Sequence, residues 1–273
     1  MTATSIRPPV VAGRFYPRDP NELREQVRTF LNQTPQPRPV RALGCIAPHA
    51  GYMYSGGVAG AVFAAINIPQ VCLVLCPNHT GVGHALAIVS DGAWETPLGD
   101  IPIDTPLAAT LKQRCPLLQE DSSAHRSEHA IEVELPFLQM RQPQLSFVPI
   151  SVGTGQFEIL ENLGHAIADV IAAHAGDVLI VASSDMNHYE SDAVTRVKDH
   201  IAIEPILALD ARALYDAVTR QHISMCGFGP AVTMLTAAAK LGATSAELIR
   251  YATSGEVSGD LDTVVGYAGV VIS

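Results

Sequence analysis

Six short runs of β-branched and other apolar residues constrain the fold of this chain more than any other feature of its sequence. They are 41–48 (RALGCIAP), 71–77 (VCLVLCP), 84–90 (HALAIVS), 145–152 (LSFVPISV), 177–184 (DVLIVASS) and 264–273 (VVGYAGVVIS). Continuous apolar runs of this length are typical of strands that are buried on both faces. The sequence therefore predicts six strands of a buried sheet.

Longer segments with helical spacing or a high alanine content separate these runs. They are 20–32, 55–66, 105–114, 127–141, 156–174, 191–220 and 229–241. Strands that alternate with helices indicate an α/β fold with a mostly parallel central sheet and helices on both faces. Only 32–39 (NQTPQPRP) has the composition of a linker, and it is too short and too early to divide the chain. We expect one domain over residues 1–273.

The charge and cysteine content exclude several classes of protein. The net charge of −10 and the absence of a dense basic run argue against nucleic acid as a partner. Five cysteines without C-x-x-C spacing predict neither a disulfide framework nor a zinc ribbon. No apolar stretch has the roughly 20 residues that cross a bilayer, and the N-terminus lacks an export signal. We expect a cytoplasmic protein with no membrane association.

Polar side chains follow three of the predicted strands at the point where each strand ends. His49 follows the run 41–48, His79 follows 71–77, and Asp185 and His188 follow 177–184. Ligands of open α/β sheets bind outside the carboxyl ends of the strands, so these residues should converge on one rim. Taken singly, each histidine could instead cap a helix or bind a carbonyl. Three strands that all end in this way favour a site.

Two further segments carry candidate functional groups. In HRSEHAIEVELPFL (125–138), His129 and Glu132 are spaced to share one helix face, where a carboxylate could orient an imidazole or simply form a solvated ion pair. In SMCGFGPAVTML (224–235), Cys226 stands at the start of a predicted helix. The N-terminus of a helix favours a thiolate, which suits a nucleophile or a metal ligand better than a buried apolar cysteine.

Imidazoles combined with a thiolate or a carboxylate suit a borderline transition metal. Fe(II), Cu or Zn would be accepted in preference to Mg or Ca, which take oxygen ligands. No H-E-x-x-H, G-x-S-x-G, P-loop or G-x-G-x-x-G motif is present. The ligands of such a metal would therefore come from separate parts of the chain.

Nine motifs in order resemble the Memo-like proteins, known in bacteria and archaea as AmmeMemoRadiSam system protein B, over essentially the whole chain. They are RPPVVAGRFYP, IAPHAGYMYSG, LCPNHTG, WETPLG, HRSEHAIEVELPFLQ, VPISVG, SSDMNHY, CGFGP and VVGYAG. The resemblance implies the fold of the class III extradiol ring-cleaving dioxygenases, which hold non-haem Fe(II) on two histidines and a carboxylate. It also implies a link to a radical SAM protein and an AMMECR-type protein.

The resemblance assigns roles to individual residues. It implies His49 and His79 as metal ligands, with Cys226 as the third ligand in place of the carboxylate. His188, His129 and Asp185 become the catalytic or orienting groups, and we expect Tyr52, Tyr54 and Glu132 to contact the substrate. A thiolate makes the site softer, which favours copper or redox-active iron and disfavours ordinary catechol cleavage.

The expected function is a metal-dependent oxidoreductase that activates O₂ at Fe(II) or Cu and acts on a small molecule. Two alternatives remain open on the sequence alone. One is a binding module that recognises a phosphorylated peptide or a small ligand in a non-catalytic cleft, although no arginine cluster marks an anion site. The other is a zinc hydrolase with His188 as its base. The chain could also form oligomers.

Overall fold

The computed structural model describes residues 5–33 and 39–273. Its strands in chain order are β1 (Ile6–Arg7), β2 (Gly44–Ala47), β3 (Val71–Pro77), β4 (Leu86–Ile88), β5 (Ala93–Thr96), β6 (Gly99–Pro102), β7 (Gln119–Glu120), β8 (Ser146–Val152), β9 (Val178–Ser183), β10 (His188–Glu190), β11 (Ala246–Thr253) and β12 (Val264–Ile272). Its helices are α1 (Pro20–Asn32), α2 (Tyr52–Ala65), α3 (Thr105–Arg114), α4 (Ser123–Arg126), α5 (Ala130–Arg141), α6 (Phe157–Ala173), α7 (Asp192–Leu207), α8 (Ala211–Arg220), α9 (Phe228–Lys240) and α10 (Gly255–Ser258).

A nine-stranded mixed sheet organises these elements in the order β10-β12-β2-β9-β3-β8-β4-β7, with β11 paired to β12. The four central strands β2, β9, β3 and β8 are parallel. Antiparallel pairs flank them, β12 against β2 on one side and β4 against β8 on the other. The α/β fold is confirmed, and the sheet is mixed: its four central strands are parallel, and a further parallel pair, β4 and β7, lies at one edge.

Alternate side chains of the central strands enter two separate cores. On β3, Cys72 and Val74 pack into the core that holds α1, α2 and α5. Leu73 and Leu75 pack into the other core, with α3 and α6 to α9. Because successive residues of a strand point to opposite faces, a run that is apolar at every position requires helices on both sides. Helices cover both faces, as predicted.

Each of the six predicted runs contains a strand. The short strands β1, β5, β6, β7 and β10 were not predicted, and neither was the longer β11. Its sequence, AELIRYAT, mixes polar and apolar residues because much of the strand is only half-buried. The predicted helix 191–220 is wrong as a single element. Leu209 adopts a left-handed backbone with a φ of 58°, which ends α7, and the Asp210 carboxylate then caps α8 by accepting from Ala213 N–H.

Two other expectations concern the predicted linker and the absence of a membrane-spanning segment. Of the predicted linker 32–39, residues 34–38 lie outside the described residues, and Asn32 ends α1. Among the residues that the structure describes, every helix is too short or too polar to cross a bilayer.

The close contact between α1 and α2 requires glycine at position 60, because glycine has no side chain. A Cβ placed on Gly60 of α2 would lie 2.6 Å from Phe30 Cβ and 2.7 Å from the Phe30 carbonyl carbon of α1. The backbone carbon cannot rotate away as a side chain would, so the two helices pack closely only because residue 60 is glycine.

We expect Gly60→Ala to lower the free energy of unfolding by about 1–3 kcal/mol, as overpacked cores do. Alanine's better helix propensity offsets only about 0.5–1 kcal/mol of this loss. Urea denaturation measures the change. Gly176→Ala is the matched control, because a Cβ there meets nothing closer than His174 Cε1 at 3.8 Å. A Gly60→Ala protein as stable as its parent would contradict the prediction.

Candidate metal centre

The carboxyl ends of three adjacent parallel strands form the floor of the site. β2, β9 and β3 are neighbours in the sheet, and they end just before His49, the Asp185–His188 segment and His79 respectively. The ring centroids of His49 and His79 lie 5.2 Å apart. The strand ends therefore bring these two imidazoles together, as the sequence predicts for parallel neighbours.

A third imidazole joins them from the connection between α4 and α5. The His129 ring lies 5.4 Å from His49 and 4.8 Å from His79, on which it stacks. One ligand nitrogen from each of the three rings lies within 4.8 Å of the others. This group could hold a metal ion, and neutral imidazole nitrogens suit zinc, copper, iron or nickel.

The Glu128 carboxylate fixes the orientation of His79. His79 Nδ1 lies 2.8 Å from Glu128 Oε1, and His79 N–H donates to Glu128 Oε2 at 2.7 Å. Burial lowers the pKa of His79, but the hydrogen bond and the charge of Glu128 outweigh it, and the net pKa is raised. Because Nδ1–H is held by the carboxylate, Nε2 is left free to bind a metal.

Ser183 and Glu134 hold His49 in a similar way, but with a hydroxyl in place of a carboxylate against Nδ1. His49 Nδ1 lies 2.8 Å from Ser183 Oγ, and this hydroxyl donates to Glu134 Oε1 at 3.0 Å. Both His49 and Glu134 are fully buried, which lowers the pKa of the imidazole and raises that of the carboxyl well above its ordinary value. Glu134 Oε2 is buried with no hydrogen-bond partner among the described residues. The neutral forms of both groups are favoured.

Cys226 lies next to His49 at the start of α9. Its Sγ is 3.4 Å from His49 Nε2 and accepts a hydrogen bond from Asp185 N–H at 3.3 Å. Burial, and then the Asp185 carboxylate, raise the pKa of the thiol. The expectation that a helix start favours the thiolate therefore does not hold without a metal, because desolvation outweighs the backbone N–H groups.

Gly227 brings this thiol close to the sheet. A Cβ on Gly227 would lie 2.3 Å from the Ser183 carbonyl oxygen, so only glycine lets the start of α9 approach the end of β9. Gly227 N–H donates to Ser184 Oγ at 3.0 Å across the same contact. The packing of α9 against β9 thus sets the position of Cys226.

His188 and Asp185 lie on the segment that runs from the end of β9 to the start of β10. His188 Nδ1–H donates to the Ser224 carbonyl oxygen at 2.9 Å, which leaves Nε2 unengaged. Asp185 Oδ1 accepts from His49 N–H at 2.9 Å, and burial raises the pKa of its carboxyl to about 6. Tyr189, which follows His188, has an exposed ring and a backbone φ of 62°. A strained backbone of this kind is found near functional sites.

Two of the three residues expected to contact a substrate are placed elsewhere. Tyr52 is buried in an aromatic core, and its hydroxyl donates to the Val133 carbonyl. Glu132 is fully buried and accepts from Arg7, from the backbone of Val10 and Val11, and from Tyr16. The expectation for Glu132 differs from the structure because these groups from the N-terminal segment enclose its carboxylate. Tyr54 is only half-buried.

Sequence reasoning did not predict which groups hold His49, His79 and His188. Glu128, Ser183, Glu134 and Ser224 all act across the fold, at separations of 36 to 134 residues from the histidines or hydroxyl that they bind. The one available signal was the position of Glu128 directly before His129. That position predicts a contact between Glu128 and His129, and it does not predict the contact with His79.

Comparisons with known proteins agree on one family. The family model of Memo-like proteins matches residues 7–271. A MEMO1 family protein of Methanopyrus kandleri is 41% identical over 277 residues, covering 97% of this chain and 98% of its own length. One from Methanosarcina barkeri is also 41% identical, over 268 residues, with 98% and 100% covered.

A solved structure shares the fold. The chain is similar to an uncharacterized protein of Escherichia coli with a TM-score of 0.55, covering 85% of this chain and 100% of the other. The two sequences are only 11% identical, so the likeness concerns the fold alone.

A buried carboxyl behind the site gives a pH-dependent stability. Asp199 accepts from Asn187 N–H at 2.8 Å and from the Tyr251 hydroxyl at 2.7 Å, yet burial raises the pKa of its carboxyl to about 6. The folded state thus holds this proton more tightly than the unfolded state, where the ordinary value is 3.8. Stability from this group is present below about pH 4 and is lost as the pH rises through about 6.

The free energy of unfolding of the parent minus that of Asp199→Asn measures the contribution of this carboxyl. We expect this difference to fall by about 3 kcal/mol as the pH rises from about 4 to about 6. Urea denaturation at several pH values measures this difference. Asp177→Asn is the control for the loss of a surface carboxylate, at an exposed pair with Arg41. A difference for Asp199→Asn that rises with pH would contradict the predicted sign.

Proposed function

This chain belongs to the Memo-like protein family, and we propose that it is a metal-dependent oxidoreductase whose Fe(II) or Cu is held by His49, His79 and Cys226. The observation that carries the proposal is the 3.4 Å between Cys226 Sγ and His49 Nε2. In tetrahedral zinc sites, whose bonds are about 2.3 Å to sulfur and 2.0–2.1 Å to nitrogen, two such donors lie about 3.6 Å apart. The pair is already at that spacing.

The surroundings of the donors also fit a metal. The Nδ1 atoms of His49 and His79 both lie against oxygen atoms, so each ring offers Nε2 in a fixed orientation. The N–H of Asp185 points at Cys226 Sγ and would stabilise a thiolate once a metal displaces its proton. Imidazole and thiolate donors select soft or borderline metals over Mg and Ca.

His129 and His188 are not among the three proposed ligands, and we assign proton transfer to them. His129 lies in contact with His79, and its Nδ1 is 3.4 Å from Glu128 Oε1. His188 presents a free Nε2, because its Nδ1–H is held by Ser224. When bound, a redox-active metal supplies a centre that exchanges electrons with O₂ and substrate. The two imidazoles would then position a small-molecule substrate and accept or donate its protons.

The test is metal analysis of protein purified without oxygen, followed by O₂ uptake. We expect stoichiometric Fe or Cu, and at least a tenfold loss of metal affinity in His49→Gln and in Cys226→Ser. A thiolate-to-copper charge-transfer band in the Cu(II) protein should vanish in Cys226→Ser. His129→Gln should keep its metal and lose turnover.

Other outcomes would replace this proposal. Metal lost in His129→Gln but kept in Cys226→Ser would make the three imidazoles the ligand set. Zinc in the purified protein, with ester hydrolysis and no O₂ uptake, would indicate a hydrolase. Protein that binds no metal but retains a phosphorylated peptide would indicate a binding module.

The Glu128 carboxylate gives a second prediction. Replacing Glu128 by Gln removes the charge that holds His79 Nδ1–H, and we expect metal affinity to fall about 10–100-fold, as for other partners of metal-bound histidines. Competition with a chelator measures the affinity. Glu25→Gln, which breaks only the exposed pair with Arg28, is the control. Equal affinities for the two variants would show that Glu128 has no influence on the metal.

A further inference from the structure

Asn187 lies in the segment between β9 and β10, directly before His188, and its side chain is fully buried. The metal-dependent function proposed above gives it no role. A buried amide lowers stability unless its hydrogen bonds are made, so the groups that it binds indicate what it holds in place. These groups lie on the segment that leads to Cys226 and on the strand that begins with His188.

Both ends of the Asn187 amide are bound, and only one orientation fits its partners. Oδ1 accepts from Ser224 N–H and from the Ser224 hydroxyl, each at 3.1 Å. Nδ2 donates to Glu190 Oε2 at 2.7 Å. A backbone N–H only donates and a carboxylate only accepts, so exchanging the oxygen and the nitrogen would lose the contacts on both sides. The amide therefore links Ser224 to Glu190 in a defined geometry.

The backbone of Asn187 is also fixed. Its N–H donates to Asp199 Oδ1 of α7 at 2.8 Å, and its carbonyl accepts from Gly266 N–H of β12 at 2.9 Å. Because these contacts hold the residue against both elements, its side chain is a rigid attachment point for Ser224.

Ser224 in turn binds both the ring and the backbone of His188. His188 Nδ1–H donates to the Ser224 carbonyl oxygen at 2.9 Å, and His188 N–H donates to Ser224 Oγ at 2.8 Å. A carbonyl oxygen only accepts, so this contact keeps the ring hydrogen on Nδ1 and leaves Nε2 bare. Without an acceptor in that position, either nitrogen of a neutral imidazole can carry the hydrogen.

The Asn187 amide also spans a strained residue. Tyr189 has a φ of 62°, and the pairing of β10 with β12 shifts its register between His188 and Glu190. Such a conformation persists only where the surrounding contacts hold it. Asn187 binds Glu190 on the far side of Tyr189, so it restrains the stretch of backbone that carries His188.

The same contact joins His188 to a proposed metal ligand. Ser224 lies two residues before Cys226. At the start of the His188 segment, Asp185 N–H donates to Cys226 Sγ at 3.3 Å. The segment that carries His188 thus meets the segment that carries Cys226 at both places, and Asn187 makes the contact that lies beside the imidazole.

We propose that Asn187 is a positioning residue, whose amide holds Ser224 against His188 and so fixes the bare Nε2 of His188 relative to Cys226. The part that His188 takes in proton transfer rests on the function proposed above. The positioning itself needs no metal, because every contact that produces it lies within the chain.

The first test is the state of the His188 ring in metal-free protein. ¹⁵N NMR distinguishes a protonated ring nitrogen from a bare one, and the spectrum of His188→Gln assigns the signals. We expect the hydrogen on Nδ1 in the parent and a mixture of both forms in Asn187→Leu, which keeps the branched shape of asparagine without its hydrogen-bonding groups. Ser224→Ala keeps the backbone carbonyl and should change the ring in the same direction, by less.

The second test is the reaction of Cys226 with an aromatic disulfide reagent, again without metal. The other four cysteines are buried, so labelling of the folded protein reports on Cys226. We expect Asn187→Leu to be labelled about tenfold faster, because losing the hydrogen bonds that hold the Ser224 segment favours its local opening. Gly60→Ala is the control for a general loss of stability, since residue 60 packs against Phe30, and it should change neither the ring nor the labelling.

Any of three results would overturn the proposal. They are an unchanged His188 ring in Asn187→Leu (or in Ser224→Ala, if Asn187→Leu does not fold), an unchanged rate of Cys226 labelling, and effects of equal size in Gly60→Ala. Because these measurements involve no metal and no turnover, their failure is distinct from a failure of the oxidoreductase proposal, which metal analysis decides.

Discussion

The buried Glu128 carboxylate is the contact on which the rest of the site depends. Its Oε1 faces His79 Nδ1 and accepts from the backbone N–H groups of His129 and Ala130, and its Oε2 accepts from His79 N–H. One side chain thus joins the loop after β3 to the start of α5. Without it, several buried donors would lose their partner, at a cost of about 1–3 kcal/mol for each group left unsatisfied.

Three carboxylates on α5 and just before it, Glu128, Glu132 and Glu134, are buried, and each is accommodated differently. Glu128 is stabilised as an anion by His79, with the pKa of its carboxyl lowered by that contact against the effect of burial. Glu132 forms an ion pair with Arg7. Glu134 has neither, and its pKa is raised. Of these three acids, the one with no cation beside it is therefore the one favoured in its neutral form.

The sequence predicted those parts of the molecule that follow from local pattern. The run at 71–77 is apolar at every position because β3 is covered on both faces, and the positions of His49 and His79 follow from the rule for parallel strands. The break at Leu209 could not be read from the sequence, because a leucine in a left-handed backbone has no local signal. Glu128 and Glu134 could not be assigned either, since each acts on a residue 49 positions away.

The close approach at Gly227 has a consequence for motion in the site. Ser183, which supports His49, and the start of α9, which carries Cys226, are in backbone contact there. A displacement of α9 therefore shifts the sulfur and the imidazole together, and their separation varies less than either position does. The two donors therefore move in the same direction during thermal motion. The distance between Cys226 Sγ and His49 Nε2 should be among the least variable distances in the protein.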